Sequence, residues 1–256
     1  MLALQTTYTS QTGQRKRNED TCGYWTSDKA CCWVVSDGAG GHGSGDVASQ
    51  LVVNTALEQF STKPEVSEQA VTDLTTGTHA AVMALKHSNP DGDDMHATVA
   101  VLLIDAETRQ AVWAHVGDTR IYLFRQRRIA LQTRDHSLVQ QLIDAGYGSE
   151  EIIRTHPQRN MLTSAIGSGD ELTISVSGAP VIVEEGDLFL MCTDGWWEYV
   201  EEHVMEEMLE DANTAEEWLN IMARRVEDSA KENADNYTAV AIQIGELEEV
   251  TTVIRR

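Results

Sequence analysis

The order of patterns along this chain predicts an α+β fold, a four-layer αββα sandwich in which two central antiparallel β-sheets are flanked by helix pairs. Strand-like runs come first, then two helical segments, several strands, two more helices and a last strand; segregated strands and helices of this kind belong to α+β layers and not to a doubly wound sheet. Between residues 97 and 132 the strands are joined by turns too short for a crossover helix, which makes neighbours antiparallel. No linker, repeat or shift of composition divides the 256 residues, so one domain over 1–256 is expected.

The elements follow in order. Residues 1–17, MLALQTTYTSQTGQRKR, read as a polar lead-in without the apolar stretch or cleavage site of a secretory signal. Strands are read at 21–27 (TCGYWTS) and 31–36 (CCWVVS), where β-branched and aromatic residues are bounded by turn signals. Helical spacing replaces alternation at Val47, Leu51 and Thr55 beside Ala48, Val52 and Ala56. A second helix is expected to open at the capping box Thr62-Lys63-Pro64-Glu65, with Pro in its first turn, and to bury Val66, Ala70, Leu74, Ala81, Val82 and Leu85. Strands return at 97–105, 111–117 and 120–124; short helices are read at 137–145 and 149–154, and 160–170 is irregular. Two further strands are expected at 171–177 and 187–192, then helices near 201–210 and from Thr214-Ala215-Glu216-Glu217, with Trp218, Leu219, Met222 and Val226 on one face, and a final strand at 237–244.

Composition excludes several functions. With 41 acidic against 19 basic residues the net charge is -22, a field that repels nucleic acid and anionic membrane. Residues 184–249 alone hold 20 acidic and 3 basic side chains; the plain reading is a solvated helix face, with a docking surface for a basic partner as the alternative. The longest apolar stretch, AVLLI at 100–104, is far too short to cross a bilayer. Cys22, Cys31, Cys32 and Cys192 form no CxxC and read as reduced core residues. A soluble, cytoplasmic and monomeric protein is expected.

Acidic residues recur at strand ends. Asp37-Gly38, Gly117-Asp118 and Asp194-Gly195 each follow an apolar run, Asp235 precedes the final strand, and Glu19-Asp20 precede the first long one. One strand-terminal Asp-Gly is usually a turn. Five such sites in one sandwich, whose strand ends meet along an edge, form a cluster that repels itself unless cations neutralise it. The ligands on offer are hard oxygens, which selects Mg²⁺ or Mn²⁺ over Zn²⁺. Two such ions about 4 Å apart can share a water, lower its pKa and clamp an in-line displacement at phosphorus. Phosphoester hydrolysis is the reaction class, and the basic triplet Arg15-Lys16-Arg17 stands beside the acidic pair as a candidate for holding phosphate.

Gly38 to Gly43 also fit G-x-G-x-x-G after a strand, with Glu58 20 residues beyond Gly38. That dinucleotide reading fails because Asp37 would face a pyrophosphate as a like charge, Glu58 falls within a helical pattern, and the following strands are antiparallel.

The ordered motifs Arg15-x-x-Asn18-Glu19-Asp20, Asp37-Gly38-Ala39-Gly40-Gly41-His42, Val116-Gly117-Asp118-Thr119-Arg120, Asp135-His136-Ser137, His156-Pro157-Gln158-Arg159-Asn160, Thr193-Asp194-Gly195 and Asp235-Asn236-Tyr237-Thr238 resemble those of the metal-dependent Ser/Thr protein phosphatases of type 2C, the PPM family, in its small bacterial form. The resemblance spans nearly the whole chain and implies the same sandwich fold. It implies that Asp37 bridges two catalytic ions, that Gly38 lends a carbonyl to one, and that Asp194 and Asp235 complete the other. Asp20 would hold water in an outer shell, with Glu19 a weaker candidate. Asp118 with Asp194 matches a third, looser metal position, Arg15 matches the phosphate-binding arginine and Arg17 does not, and about 137–168 matches a mobile flap.

Eukaryotic relatives place a histidine general acid where Ala39 stands, so the resemblance leaves protonation of the leaving group to water on the third ion. His42 and His156 are read as structural. The function implied is hydrolysis of phosphoserine and phosphothreonine on phosphoproteins without a covalent intermediate, opposite a cognate Ser/Thr kinase. Cys192 is followed by no C-x₅-R loop and offers no alternative nucleophile. A silent phosphoprotein-binding module, or a hydrolase of small phosphate esters, are the other readings.

Overall fold

The structure, a computed structural model, describes residues 2–40, 44–88, 94–169, 171–229 and 234–245. His42 lies outside the described residues.

One sheet orders β1 (Leu4–Gln11), β12 (Tyr237–Ile244), β11 (Leu188–Cys192), β7 (Arg120–Arg125) and β8 (Arg128–Gln132). The other orders β10 (Val181–Ile182), β6 (Gln110–Val116), β5 (Val99–Asp105), β3 (Ala30–Ala39) and β2 (Asp20–Thr26), with β4 (His96–Ala97) on β3 and β9 (Ser175–Val176) on β6. Every strand pairing among the described residues is antiparallel. Helices α1 (Gly45–Thr62) and α2 (Glu68–Ser88) cover the second sheet, and α5 (Glu202–Asp211) and α6 (Ala215–Ser229) the first. Between them lie α3 (Leu138–Asp144) and α4 (Asp194–Trp197).

Three buried layers hold the four layers of structure together. Cys31, Trp33 and Val35 of β3 face the other sheet with Leu102, Phe189, Met191 and Ile242. Alternate residues Cys32 and Val34 face α1 and α2 with Val52, Phe60 and Val101. Period-two alternation normally sends one face to water, but here helices cover it, which is why CCWVV reads as an unbroken apolar run. On the opposite side Tyr122, Phe124, Leu190 and Ala241 meet Trp196, Trp218 and Met222. Most of the acidic residues of α5 and α6 fill their exposed faces, with Met205, Leu209, Trp218, Leu219, Met222 and Val226 buried beneath.

Several expectations change. The polar lead-in contains β1, whose Thr-rich sequence shows half-buried edge-strand burial and pairs with β12 from Leu4↔Ile244 to Gln11↔Tyr237; its polar face hid it. The capping box at Thr62 is not a helix start: α1 runs through Thr62, and Ser67 caps α2 by accepting from the Ala70 amide at 3.1 Å. The Thr214 hydroxyl does cap α6, accepting from the Glu217 amide at 3.1 Å. The strand expected at 171–177 shrinks to Ser175–Val176, and β3 runs through Asp37-Gly38 to Ala39 where a turn signal stood.

One buried ion pair joins the layers. Arg120, at 1% side-chain exposure, donates through Nε and Nη2 to the two oxygens of Asp135, both at 2.8 Å. Its Nη1 reaches Glu202 and the Tyr122 hydroxyl at 3.1 Å, and its guanidinium lies 3.6 Å from the centroid of the Trp197 ring. Removing one partner of a buried pair leaves an uncompensated charge. Asp135→Ala should therefore destabilise the fold by about 3 kcal/mol in chemical denaturation; a change below about 1 kcal/mol would show that Glu202 alone satisfies Arg120.

Candidate active site

Strand ends and strand starts converge on one cavity of about 240 Å³, lined by Arg15, Glu19, Asp37, Gly38, Asp118, Asp194 and Asp235 among others. Asp20 sits beneath it at 6% exposure. Arg17 turns away to Asp46 at 3.7 Å, and His156 only closes a flap turn by accepting from the Gln158 amide at 3.1 Å.

Backbone placement sets the geometry. Asp37 stands directly opposite Asp20 in the β2–β3 ladder, the cross-strand position at which like charges destabilise a sheet. The Asp37 amide donates to Thr98 Oγ1 at 2.9 Å, and its carbonyl accepts from the Thr98 amide at 2.8 Å. Gly38 follows with the backbone of Gly45 so close that a Cβ would lie 1.9 Å from the Gly45 carbonyl oxygen; only glycine lets the start of α1 approach.

Asp118 comes from the β6–β7 loop through Gly117, whose φ of +94° and packing against Thr98 exclude a side chain. That loop is held on both sides. The Gly117 amide donates to His136 Nδ1 at 3.2 Å and the Gly117 carbonyl accepts from the His136 amide at 2.9 Å, while Trp197 Nε1 donates to the Asp118 carbonyl at 2.9 Å. Since Nδ1 accepts, the imidazole proton belongs on Nε2, which faces Ser175 Oγ at 2.8 Å. Burial and the neighbouring His115 push the His136 pKa down to about 4, keeping the ring neutral.

Asp194 opens α4 at the end of β11, and Asp235 precedes β12. Asn236 ties these segments to the β1–β2 loop: its Oδ1 accepts from the Glu19 amide at 2.7 Å, and its Nδ2 donates to the carbonyls of Thr12 and Arg17 at 2.7 and 2.8 Å. Arg15 from that loop donates to Asp235 Oδ2 at 2.7 Å.

The electrostatics are adverse to the bare protein. Burial is the largest cause raising each of four carboxyl pKa values, and the other acids add to it. Asp37 is raised well above the ordinary range by burial and then by Asp20, Asp194, Asp118 and Asp235. Asp194 is raised likewise, with Asp118 its strongest repulsive neighbour. Asp20 and Asp118 are each raised to about 7. Asp37 and Asp194 keep some surface towards the cavity, so solvent softens this without removing it.

Two buried oxygens, Asp20 Oδ1 and Asp194 Oδ1, meet no protein donor, although Asp20 Oδ2 accepts from Thr193 Oγ1 at 2.9 Å. Buried acceptors without donors, mutual repulsion and an all-oxygen donor set fit hydrated Mg²⁺ or Mn²⁺. Among the described residues no three His, Cys, Asp or Glu side chains form a ready-made cage.

Sequence reasoning assigned no part to Thr98, Asn236 or His136, which position the ligand-bearing loops, or to His96 and Asn160, which line the cavity. Asn236 and His136 stood within quoted motifs; Thr98 and His96 carried no local signal, because only β3–β4 pairing brings them to the site.

The sequence profile of the family described as protein phosphatase 2C matches residues 9–236. The serine/threonine phosphatase stp of Listeria innocua is 31% identical over 235 residues, covering 90% of this chain and 91% of that protein. The crystal structure of the Mycobacterium tuberculosis serine/threonine phosphatase PstP/Ppp aligns with a TM-score of 0.83 at 25% identity, over 96% of this chain and all of that one. The catalytic domain of PstP, in complex with 2 manganese ions, aligns with a TM-score of 0.80 at 24% identity, over 96% of this chain and all of that one.

The carboxyl shifts fix a sign for stability. Asp20 and Asp118 bind protons more tightly folded, near pH 7, than unfolded, near 3.8, so their contribution is present below about pH 4 and lost as pH rises through 7. In chelator the melting temperature should therefore fall between pH 5 and 8, and Mn²⁺ should restore most at the upper end. Asp37→Asn should raise the Tm in chelator at pH 8, by roughly 2–4 °C per kcal/mol of relieved repulsion. A Tm in chelator that is flat across this range, or lowered by Asp37→Asn, would contradict a repulsive cluster.

Proposed function

The chain belongs to the protein phosphatase 2C family, and from that membership we propose that it hydrolyses phosphoserine and phosphothreonine on proteins in a Mn²⁺- or Mg²⁺-dependent reaction. The observation that carries this reading is the single cavity in which four aspartates and Arg15 meet, with a buried Asp194 oxygen lacking any protein donor.

Asp37, the Gly38 carbonyl, Asp194 and Asp235 would hold two ions, Asp118 with Asp194 a third and looser one, and Asp20 would orient water behind them. The chemistry such ions supply when bound is Lewis acidity: an acidified water and neutralisation of phosphoryl charge. The protein's own part is positioning. Arg15, half exposed at the rim, exchanges its contact with Asp235 for the substrate's phosphate in a charge-assisted pair. Asn160 and Leu162 of the flap wall the cavity and limit the water around the reacting phosphate. The flap is tied down through Arg154, which donates to Glu202 at 2.8 Å and to the Trp197 carbonyl at 2.9 Å.

Phosphoproteins are the natural substrates of such a site, and a Ser/Thr kinase supplies them. No described helix is long and apolar enough to cross a membrane.

Phosphate release from a phosphothreonine peptide should require added Mn²⁺ or Mg²⁺, and Asp194→Ala should lower kcat at least 10³-fold while the protein stays folded. Full turnover in excess chelator would sink the metal-dependent reading, and slower release from the peptide than from free phosphoserine would point to small esters instead. Arg15→Ala should raise KM about tenfold, whereas Arg17→Ala should leave it within twofold, because only Arg15 reaches the cavity. Equal effects would mean that the triplet acts only as a general basic patch.

A further inference from the structure

Hydrolysis of a serine or threonine phosphate expels an alkoxide, which needs a proton as the P–O bond breaks. The described side chains lining the cavity include carboxylates, Arg15, Asn160, Asn236, Thr98 and one imidazole, His96. Arginine keeps its proton at any physiological pH, amides and hydroxyls do not release theirs, and the carboxylates are the groups called on to hold cations. With the carboxylates holding cations, His96 is the one remaining described lining residue with the chemistry of a proton donor near neutral pH.

Its placement follows from the ladder. β4 pairs with the end of β3 so that Ala39 stands opposite His96 and Gly38 opposite Ala97. Directly opposed residues project to the same face, and alternate residues of one strand share a face, so Asp37, Ala39 and His96 stand on one side of the sheet. Ala39 contributes only a methyl group there, which leaves room for an imidazole beside the end of β3 that carries Asp37. In the neutral ring one nitrogen carries a proton and the other a lone pair that becomes a donor once protonated.

We propose that His96 is a catalytic residue, the general acid that protonates the seryl or threonyl oxygen as it leaves phosphorus. This rests on the phosphatase reading of the site. A water oxygen forms the new P–O bond and gives up one proton to solvent. The electron pair of the ester P–O bond departs with the substrate oxygen, which takes the proton of the His96 imidazolium. The neutral ring then regains a proton from solvent. Partial burial and Lys86 of α2 hold the ring below the ordinary histidine pKa, while Asp94 acts the other way. Asp37, Glu19, Asp235 and Arg15 line the same cavity, and an arriving phosphate dianion favours the imidazolium.

The test uses the Mn²⁺-loaded enzyme, with His96→Gln and His96→Ala, on a phosphothreonine peptide and on p-nitrophenyl phosphate, whose phenolate leaves without a proton. For both variants kcat on the peptide should fall about 10²-fold or more, and that on the aryl ester less than about threefold. Calorimetric Mn²⁺ titration should be unchanged, and added imidazole should restore peptide turnover by His96→Ala. In the wild-type apoprotein, inorganic phosphate should raise the pKa read from the His96 ring protons by NMR. Equal losses on both esters, no loss on the peptide, or a peptide-selective loss in Asp118→Ala but not in His96→Gln would overturn the assignment. Failure of the wild type to hydrolyse the peptide would instead overturn the phosphatase reading itself.

Discussion

Like charges held together out of water are the constraint on which the rest of the molecule turns. Asp20 and Asp37 face each other across adjacent strands, and Asp118, Asp194 and Asp235 arrive from three further segments. Bringing them together costs desolvation and repulsion at once, as the upward carboxyl shifts record. A structure sustains such a site only if the surrounding layers leave the carboxylates nowhere else to go. Here the three apolar layers around β3, β5, β11 and β12 supply that rigidity, since each of these strands buries both faces. Function draws on the same adverse energy, because a cation that relieves the repulsion gains affinity from it.

Polar positioning around the cluster is correspondingly dense. Thr98 holds the Asp37 backbone, Thr193 holds Asp20, His136 and Trp197 clasp the loop of Asp118, and Asn236 joins the phosphate-side loop to β12. Each contact fixes backbone or an outer oxygen and leaves carboxylate oxygens turned inward, as residues that orient ligands do without competing for them. The buried Arg120–Asp135 pair extends this order to the flap, since Glu202 accepts from both Arg120 and Arg154 and Trp197 lies against the Arg120 guanidinium. Residues 150–160, the Asp118 loop and the outer helix pair thus share one network of contacts.

The negative charge of the molecule is divided into two populations. Seven of the 20 acidic residues of 184–249 sit on the exposed faces of α5 and α6, Glu210 among them paired with Arg128, and are solvated. Asp194 instead sits within the cavity largely out of water, and Asp235 stands at its rim against Arg15. Net charge alone cannot separate them, because burial and not composition decides what a carboxylate costs.

The sequence by itself determined the layer order, the antiparallel strands and the identity of the clustered aspartates, because hydrophobic period, short connections and Asp-Gly punctuation are local properties. β1 stayed hidden because an edge strand with a polar face has almost no periodic apolar signal, and Thr62-Lys63-Pro64-Glu65 misled because the start of α2 was decided by the Ser67 hydroxyl and by where α1 ran out. Only the tertiary structure decided that Asp20 lies beneath the cavity and not at its wall, that Arg15 and not Arg17 reaches it, and that His96 stands across from Ala39. These are facts of register and of loop path: residues 57 apart in the chain become neighbours only when β4 pairs with β3, and no local pattern encodes a contact made by closing so long a loop.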